Sequence, residues 1–306
     1  MNFLVVGVGA VGSVYLAFLS RAGHRAVGLV KKGRSLDRIK VEGIWGEFEQ
    51  KVNTIDSIEG LDFEPDIVIL TVKSYDTDGA LEDIKSLKEG KSLLMVAQNG
   101  YGNYEKAVKV FGEGRVILAR VIFGAKLLEW GLVRITVCGD DVVIGDPSKN
   151  IQEAYLKELS EVFSISGIPT RYSPEVYKYL WDKILYNCAL NPLGALFEKT
   201  YGEIASNPHT RNIMDGIIEE AFEVIKAYSI PTFWSSSEEY RKHFYERLLP
   251  PTKDHYPSML EDVKKGKTEI DALNGALVAL AKEKGIYLPL NDLIAKLIRA
   301  KEQFSR

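Results

Sequence analysis

The sequence predicts two domains, an α/β domain on a mainly parallel sheet over residues 1–170 and an all-α domain over residues 171–306. Three observations carry this expectation. In the first half, short β-rich apolar runs alternate with amphipathic stretches, the pattern left when helices cover both faces of a parallel sheet. The first of those runs leads directly into a glycine-rich turn. After Gly167-Ile168-Pro169 the β-branched runs stop and long helical periodicities take over.

In chain order, the predicted strands are Phe3–Val6, Ala26–Val30, Ile67–Val72, Leu93–Ala97, Val116–Val121, Val133–Val137 and Val142–Ile144. Helices are predicted at Val11–Ala22, Asp78–Lys85 and Tyr104–Phe111. Only Trp130-Gly131 and Gly139-Asp140-Asp141 separate the later runs, so this end of the sheet is expected to turn antiparallel. The second half reads as helices at Glu175–Asn191, Thr210–Tyr228, Ser236–Leu248, Ser258–Lys265, Glu269–Gly285 and Leu290–Gln303, punctuated by Pro192, Pro208, Pro231, Pro250-Pro251, Gly266, Gly285 and Pro289. A ligand cleft is expected between the domains.

With 306 residues, 46% of them hydrophobic, the chain can bury a core in each domain, which excludes a disordered or fibrous class. The net charge of -3, from 39 basic and 42 acidic side chains spread along the sequence, offers no broad basic surface for nucleic acid. A small molecule is the expected partner. Cys138 and Cys188 lack the spacing of a disulfide framework or zinc site, so no metal is expected, and both thiols should be reduced and buried in a cytoplasmic protein. The apolar start Phe3–Leu19 has no basic region before it and carries glycines at motif spacing, which reads as core strand and helix rather than a signal peptide. No other segment approaches the roughly 20 apolar residues of a membrane span. A helical second domain offers a homodimer face, with Tyr240, Phe244 and Tyr245 as candidates.

The turn Gly7-Val8-Gly9-Ala10-Val11-Gly12 follows a strand and opens a helix, the context in which GxGxxG marks a Rossmann-type dinucleotide site. Gly7 suits the tight turn, Gly9 the approach of a pyrophosphate, and Gly12 close packing of helix on strand. The N–H groups of the first helical turn would face the phosphates. About twenty residues on, where an NAD enzyme places a carboxylate for the ribose hydroxyls, the chain has Lys31, Lys32 and Arg34. Cations there suit a 2′-phosphate, so NADP(H) is the expected cofactor; a solvated basic loop is the plain alternative. Lys73 and Asn99 end two further strands, where open α/β sheets bind ligands, and they could meet phosphate, ribose or substrate.

In the second half, Lys183, Asn187 and Asn191 recur every four residues and share one side of an otherwise apolar helix. Asparagine is a poor helix former, so two on one stripe point to hydrogen bonding with something else, although Asn191 could simply end the helix before Pro192. Reducing a ketone develops negative charge on oxygen, and a protonated amine within reach can stabilise that charge and deliver its proton. Lys183 fits this general-acid role, with the asparagines orienting substrate. Thr268 could start the next-to-last helix, while Glu269 and Asp271 in its first turn are favoured there by the helix dipole in any case.

Taken together, the turn at Gly7–Gly12, Lys73, Asn99-Gly100-x-Gly102, Lys183-x-x-x-Asn187-x-x-x-Asn191-Pro192, Ser258-Met259-x-x-Asp262 and Thr268-Glu269-Ile270-Asp271-x-x-Asn274-Gly275 resemble the ketopantoate reductase family along nearly the whole chain. The resemblance implies an NADPH-dependent oxidoreductase making pantoate for pantothenate and coenzyme A. It assigns Lys183 as general acid, Asn99, Asn187, Asn191 and Ser258 to substrate, Asn99 and Ala125 to cofactor, and Glu269 to the nicotinamide end. Four departures stand out. Lys31 replaces the family's usual Arg, bulky groups around Phe123 replace a Thr-rich run, Thr136 stands in place of a frequent His, and Tyr201 replaces an Asn resembling a substrate contact. Two other functions fit less of the pattern: a β-hydroxy acid dehydrogenase-like reductase, which would not need the Ser258 and Glu269 strings, and a non-catalytic NADP-binding regulator, which would not need Lys183.

Overall fold

Each apolar run of the first half forms a strand in the computed structural model, which describes residues 1–305. The elements are β1 (Asn2–Val6), α1 (Ala10–Arg21), β2 (Arg25–Leu29), β3 (Arg38–Gly43), β4 (Phe48–Lys51), β5 (Asn53–Ile55), β6 (Ile67–Leu70), α2 (Thr77–Asp83), β7 (Leu93–Val96), α3 (Asn103–Phe111), β8 (Val116–Arg120), β9 (Phe123–Glu129), β10 (Leu132–Cys138), β11 (Val142–Gly145), α4 (Glu153–Ile165) and β12 (Thr170–Tyr172). The main sheet has eight strands in the order β12-β11-β8-β7-β6-β1-β2-β5. Every pair in it is parallel except β8 with β11, so the expected antiparallel end is present.

Side chains alternate across the sheet, which explains the unbroken apolar runs. Phe3 and Val5 of β1 enter one core layer with α1 and α4, while Leu4 and Val6 enter the other with Ala80, Leu81 and Ala107 of α2 and α3. β1 lies between β2 and β6, with Phe3 in register with Ala26 on one side and Ile67 on the other. The chain therefore leaves β1 in one direction and later returns on its other side. That reversal makes the carboxyl end of β1 a topological switch point.

Several expectations needed correction. The run Val133–Val137 is not in the main sheet: β10 joins a separate four-stranded sheet, β4-β3-β10-β9. The strands β3, β4, β5, β9 and β12 and the helix α4 were not expected. In β3, Arg38, Lys40 and Glu42 alternate with Ile39 and Val41, a half-buried pattern that resembles a polar loop when read for apolar runs. The small sheet covers α1 through aromatic edge contacts, Phe18 with Trp45 and Phe48 at 5.7 and 5.0 Å. Packed between two sheets, α1 buries every residue from Gly12 to Leu19.

The second half contains α5 (Val176–Phe197), α6 (Tyr201–Ser206), α7 (Pro208–Ala227), α8 (Ser237–His243), α9 (Ser258–Lys264), α10 (Asn274–Glu283) and α11 (Pro289–Phe304). Here too the boundaries differ. α5 runs through Pro192 rather than ending at Asn191. α8 stops at His243 and continues as a π-helical turn over Phe244–Leu248. The span Glu269–Gly285 is two pieces, a 3-10 turn at Ile270–Ala272 and then α10, with the break at Leu273. Tyr240 and Phe244 are fully buried aromatics of the helical core, so they cannot form a dimer face. The hydroxyl of Tyr245 donates to Asp215 at 2.7 Å.

The chain forms two compact units, Met1–Asn99 with Asn103–Val176, and Gly100–Gly102 with the residues from Tyr177 onward. No helix among the described residues is long and apolar enough to cross a membrane.

Candidate active site

The glycine turn occupies the switch point, and each of its glycines is required for a different reason. Gly7 has φ +92, a left-handed conformation costly for other residues, and a Cβ there would lie 2.8 Å from the Val72 backbone nitrogen. A Cβ on Gly12 would collide with the Gly7 carbonyl oxygen and approach Thr71 Oγ1 at 2.7 Å. A Cβ on Gly9 would meet nothing within 4 Å. The space above Gly9 is therefore open, as a pyrophosphate needs. Gly9 caps α1 without a side-chain hydrogen bond, and the first turn of α1 carries no acidic residue, so its N–H groups and dipole present an uncompensated positive end. Ala10 and Val11 form that turn half-buried, whereas Val8 is buried in the core. Thr71, which the sequence did not single out, fastens the turn by donating to the carbonyls of Val6 and Gly7 at 3.0 and 2.7 Å.

Lys31, Lys32 and Arg34 follow β2 and are exposed. The loop is built rather than slack: Arg34 N donates to Lys31 O at 3.0 Å, Gly33 N to Asp56 Oδ2 at 2.9 Å, and Leu36 N to Thr54 Oγ1 at 2.8 Å. Lys31 Nζ is 3.2 Å from Asp76 Oδ2. Lys73 follows β6 and caps the short turn Ser74–Asp76, and Asn99 follows β7. Because β7, β6, β1 and β2 are consecutive parallel neighbours, the glycine turn, the basic loop, Lys73 and Asn99 all lie along one edge of the sheet. Ala125 lies apart from that edge, on β9 of the small sheet opposite Ile135.

A buried polar chain fixes the Asn99 corner, and nothing in the sequence pattern marks it. Gln98 Nε2 donates to Val72 O at 2.8 Å and to Thr77 Oγ1 at 2.7 Å; Thr77 Oγ1 donates to Asn103 Oδ1 at 2.9 Å, and Asn103 Nδ2 to Asn99 O at 2.8 Å. Such a chain holds the backbone of the strand end in place.

In the helical unit, Lys183 is half-buried on α5, and Asn187 and Asn191, one and two turns on, are 6% and 5% exposed. The Asn187 amide has no hydrogen-bond partner among the described residues, although buried polar groups are almost always satisfied. Asn191 is oriented by one bond: Tyr201 donates its hydroxyl proton to Asn191 Oδ1 at 2.7 Å. Burial, reinforced by Tyr186, raises the Tyr201 phenol well above its ordinary pKa and keeps it a donor. With Oδ1 engaged, Asn191 turns its NH2 donors the other way. Tyr201 is itself set by a capping box, in which Thr200 and Glu203 exchange hydrogen bonds across the start of α6. The Tyr201 departure thus has an intramolecular partner, and Phe123 is core packing against Trp45 at 5.0 Å.

Ser258 is exposed at the start of α9, and Glu269 is 8% exposed just before the 3-10 turn. Thr268 does not begin a long helix: its backbone N–H donates to Glu302 Oε1 at 2.7 Å, its hydroxyl oxygen accepts from Ile270 N at 3.2 Å, and this stations Glu269 between them. Asp271 is bound by Arg299 through two nitrogens at 3.0 and 2.6 Å, a structural role. Asn274 is fully buried and donates to Cys188 O at 3.2 Å. That carbonyl lies four residues before Pro192, whose nitrogen has no hydrogen to give it. Asn274 therefore supplies the bond that the proline removes.

Two family models match most of the chain. Residues 3–149 match the family described as ketopantoate reductase PanE/ApbA, and residues 175–302 match its C-terminal part. A 2-dehydropantoate 2-reductase of Aquifex aeolicus is 60% identical over 305 residues, covering 100% of this chain and 98% of the relative. A PanE/ApbA family ketopantoate reductase structure from Ralstonia eutropha JMP134 superposes with a TM-score of 0.85 at 25% identity, covering 100% of this chain and 99% of that one. A D-mandelate dehydrogenase bound to NADH and anilino(oxo)acetate has the same fold, with a TM-score of 0.88 at 23% identity over 100% and 99% of the two chains.

Proposed function

Since the chain belongs to the ketopantoate reductase family, we propose that it reduces 2-dehydropantoate (ketopantoate), or a closely related branched 2-oxo acid, to the 2-hydroxy acid with NADPH, in pantothenate and coenzyme A biosynthesis. The observation that carries the reading at residue level is the α5 stripe. Two amides more than nine-tenths buried keep donors without intramolecular partners, one and two turns beyond a lysine. Those donors suit a carboxylate.

The residues of the first unit fit the cofactor. Open space above Gly9 and the uncapped start of α1 suit the pyrophosphate, and Lys31, Lys32 and Arg34 suit a 2′-phosphate. Lys73 and Asn99 extend that edge, and the family resemblance adds Ala125 as a further cofactor contact. The chemistry that NADPH supplies when bound is a hydride for the C2 carbonyl carbon. The protein's task is to place that carbonyl and stabilise the charge on its oxygen. Lys183 hydrogen-bonds the oxygen through Nζ and transfers a proton to it, giving the hydroxyl. Asn99, Asn187, Asn191 and Ser258 hold the substrate's carboxylate and hydroxyl groups, and Glu269 flanks the nicotinamide. Residues 1–170 supply most of the cofactor contacts, and residues 171–306 supply most of the substrate contacts and the proton.

The test is NADPH oxidation by the purified protein across 2-oxo acids, run in parallel with NADP+ reduction across 3-hydroxy acids. Ketopantoate should give the highest kcat/KM. A better 3-hydroxy acid would instead assign a β-hydroxy acid dehydrogenase activity, and no turnover on any acid despite NADPH binding would make the protein a regulator.

A further inference from the structure

The hairpin joining β9 to β10 turns at Trp130-Gly131, and its indole, 39% exposed, is not left to solvent. Trp130 Nε1 donates to Ser35 O at 2.9 Å, and the next residue's carbonyl, Gly131 O, accepts from Lys40 N at 2.7 Å. The hairpin tip is thus fastened to the basic loop. On the ring face lies Arg34, its Cζ 5.4 Å from the ring centroid, within the range of a cation–π contact.

The three cations of the loop are not equivalent. Lys31 is engaged by Asp76, and that carboxylate would also repel an incoming phosphate. Lys32 is exposed with no ion pair among the described residues. Arg34 also has no side-chain hydrogen bond or ion pair among them, yet the ring holds it. A ring contact takes up no N–H group of the guanidinium in a hydrogen bond to an acceptor oxygen, whereas a salt bridge would occupy them. Arginine's planar fork is also the group that binds a phosphate through two parallel bonds, which a lysine cannot do.

We infer that Trp130 is a positioning residue for cofactor choice, holding Arg34 so that this guanidinium, rather than Lys31, grips the 2′-phosphate of NADPH. The inference rests on the NADPH reading above. It also gives the small sheet a role, as the scaffold that carries the indole to the loop.

Isothermal titration of the full-length protein with 2′,5′-ADP and with 5′-AMP measures the phosphate preference without turnover. The wild type should prefer 2′,5′-ADP. Trp130→Ala should lower that preference about threefold to tenfold, leaving 5′-AMP affinity in place, and Trp130→Phe, which keeps a ring face, should retain most of it. In an Arg34→Gln background Trp130→Ala should have no further effect. An unchanged preference in Trp130→Ala, or equal weakening of both ligands, overturns the inference. Should that variant melt at assay temperature, Trp130→Leu, which keeps bulk without a π face, decides by the same criteria. A wild type without preference for 2′,5′-ADP would refute the NADPH reading itself, a result distinct from an indifferent Trp130.

Discussion

The glycine turn and helix α5 build their sites in opposite ways. At the turn, function comes from missing side chains: the space above Gly9 is empty, and backbone N–H groups at the start of α1 supply the polarity. On α5 it comes from side chains that packing leaves unsatisfied, because Asn187 is buried without a partner and Asn191 is held by one bond from Tyr201. A backbone site of the first kind suits phosphates, which many related ligands share. One of the second kind reads a particular arrangement of oxygens, so specificity should lie in the helical unit.

The strongest challenge to this contrast is Lys183→Ala. Losing a general acid should lower kcat by about 10²- to 10⁴-fold, while NADPH affinity stays near that of the wild type. Stopped-flow turnover with parallel titration of NADPH separates the two quantities. A variant keeping a tenth of its kcat would remove Lys183 from the acid role. Next come two alanines in the turn. Gly12→Ala drives a Cβ into the Gly7 carbonyl and should destabilise the fold by about 1–3 kcal/mol. Gly9→Ala, in extended backbone with open space, should leave urea unfolding within about 0.5 kcal/mol of wild type and weaken NADPH about tenfold or more. If Gly9→Ala binds NADPH normally, the space above Gly9 is not where the pyrophosphate lies.

This difference in construction also governs what the sequence could reveal. GxGxxG was legible because backbone geometry restricts residue type, and each glycine has its reason in the structure. The fold class and the main strands were legible for a similar reason, since strands buried on both faces must be apolar throughout. Strands β3 and β4 leave no apolar run in the sequence because one of their faces is charged. On α5 the spacing of Lys183, Asn187 and Asn191 was visible, but not that the asparagines are buried or that Tyr201 orients one of them. The Gln98–Thr77–Asn103 chain left no trace either, because its members meet only in three dimensions. Thr268, Glu269 and Asp271 looked like an ordinary helix start. Only the packing shows that Thr268 and Asp271 are bound to Glu302 and Arg299.

Asn274 offers the finest test, because it joins the two halves of the α5 argument. Pro192 sits inside α5, so the Cys188 carbonyl loses its usual helical donor. Asn274 Nδ2 makes up the loss at 3.2 Å and also donates to Asn291 Oδ1 at 2.9 Å. Asn274→Ala should leave that carbonyl buried and unpaired, and cost about 1–3 kcal/mol in urea unfolding. In a Pro192→Ala background residue 192 regains its N–H, so the same change should cost measurably less, and the coupling in the double-mutant cycle should have the sign of a shared bond. Additive costs would mean that Asn274 acts through Asn291 alone. Coupled costs would mean that the helix carrying Asn187 and Asn191 tolerates its proline because a distant asparagine replaces the lost donor.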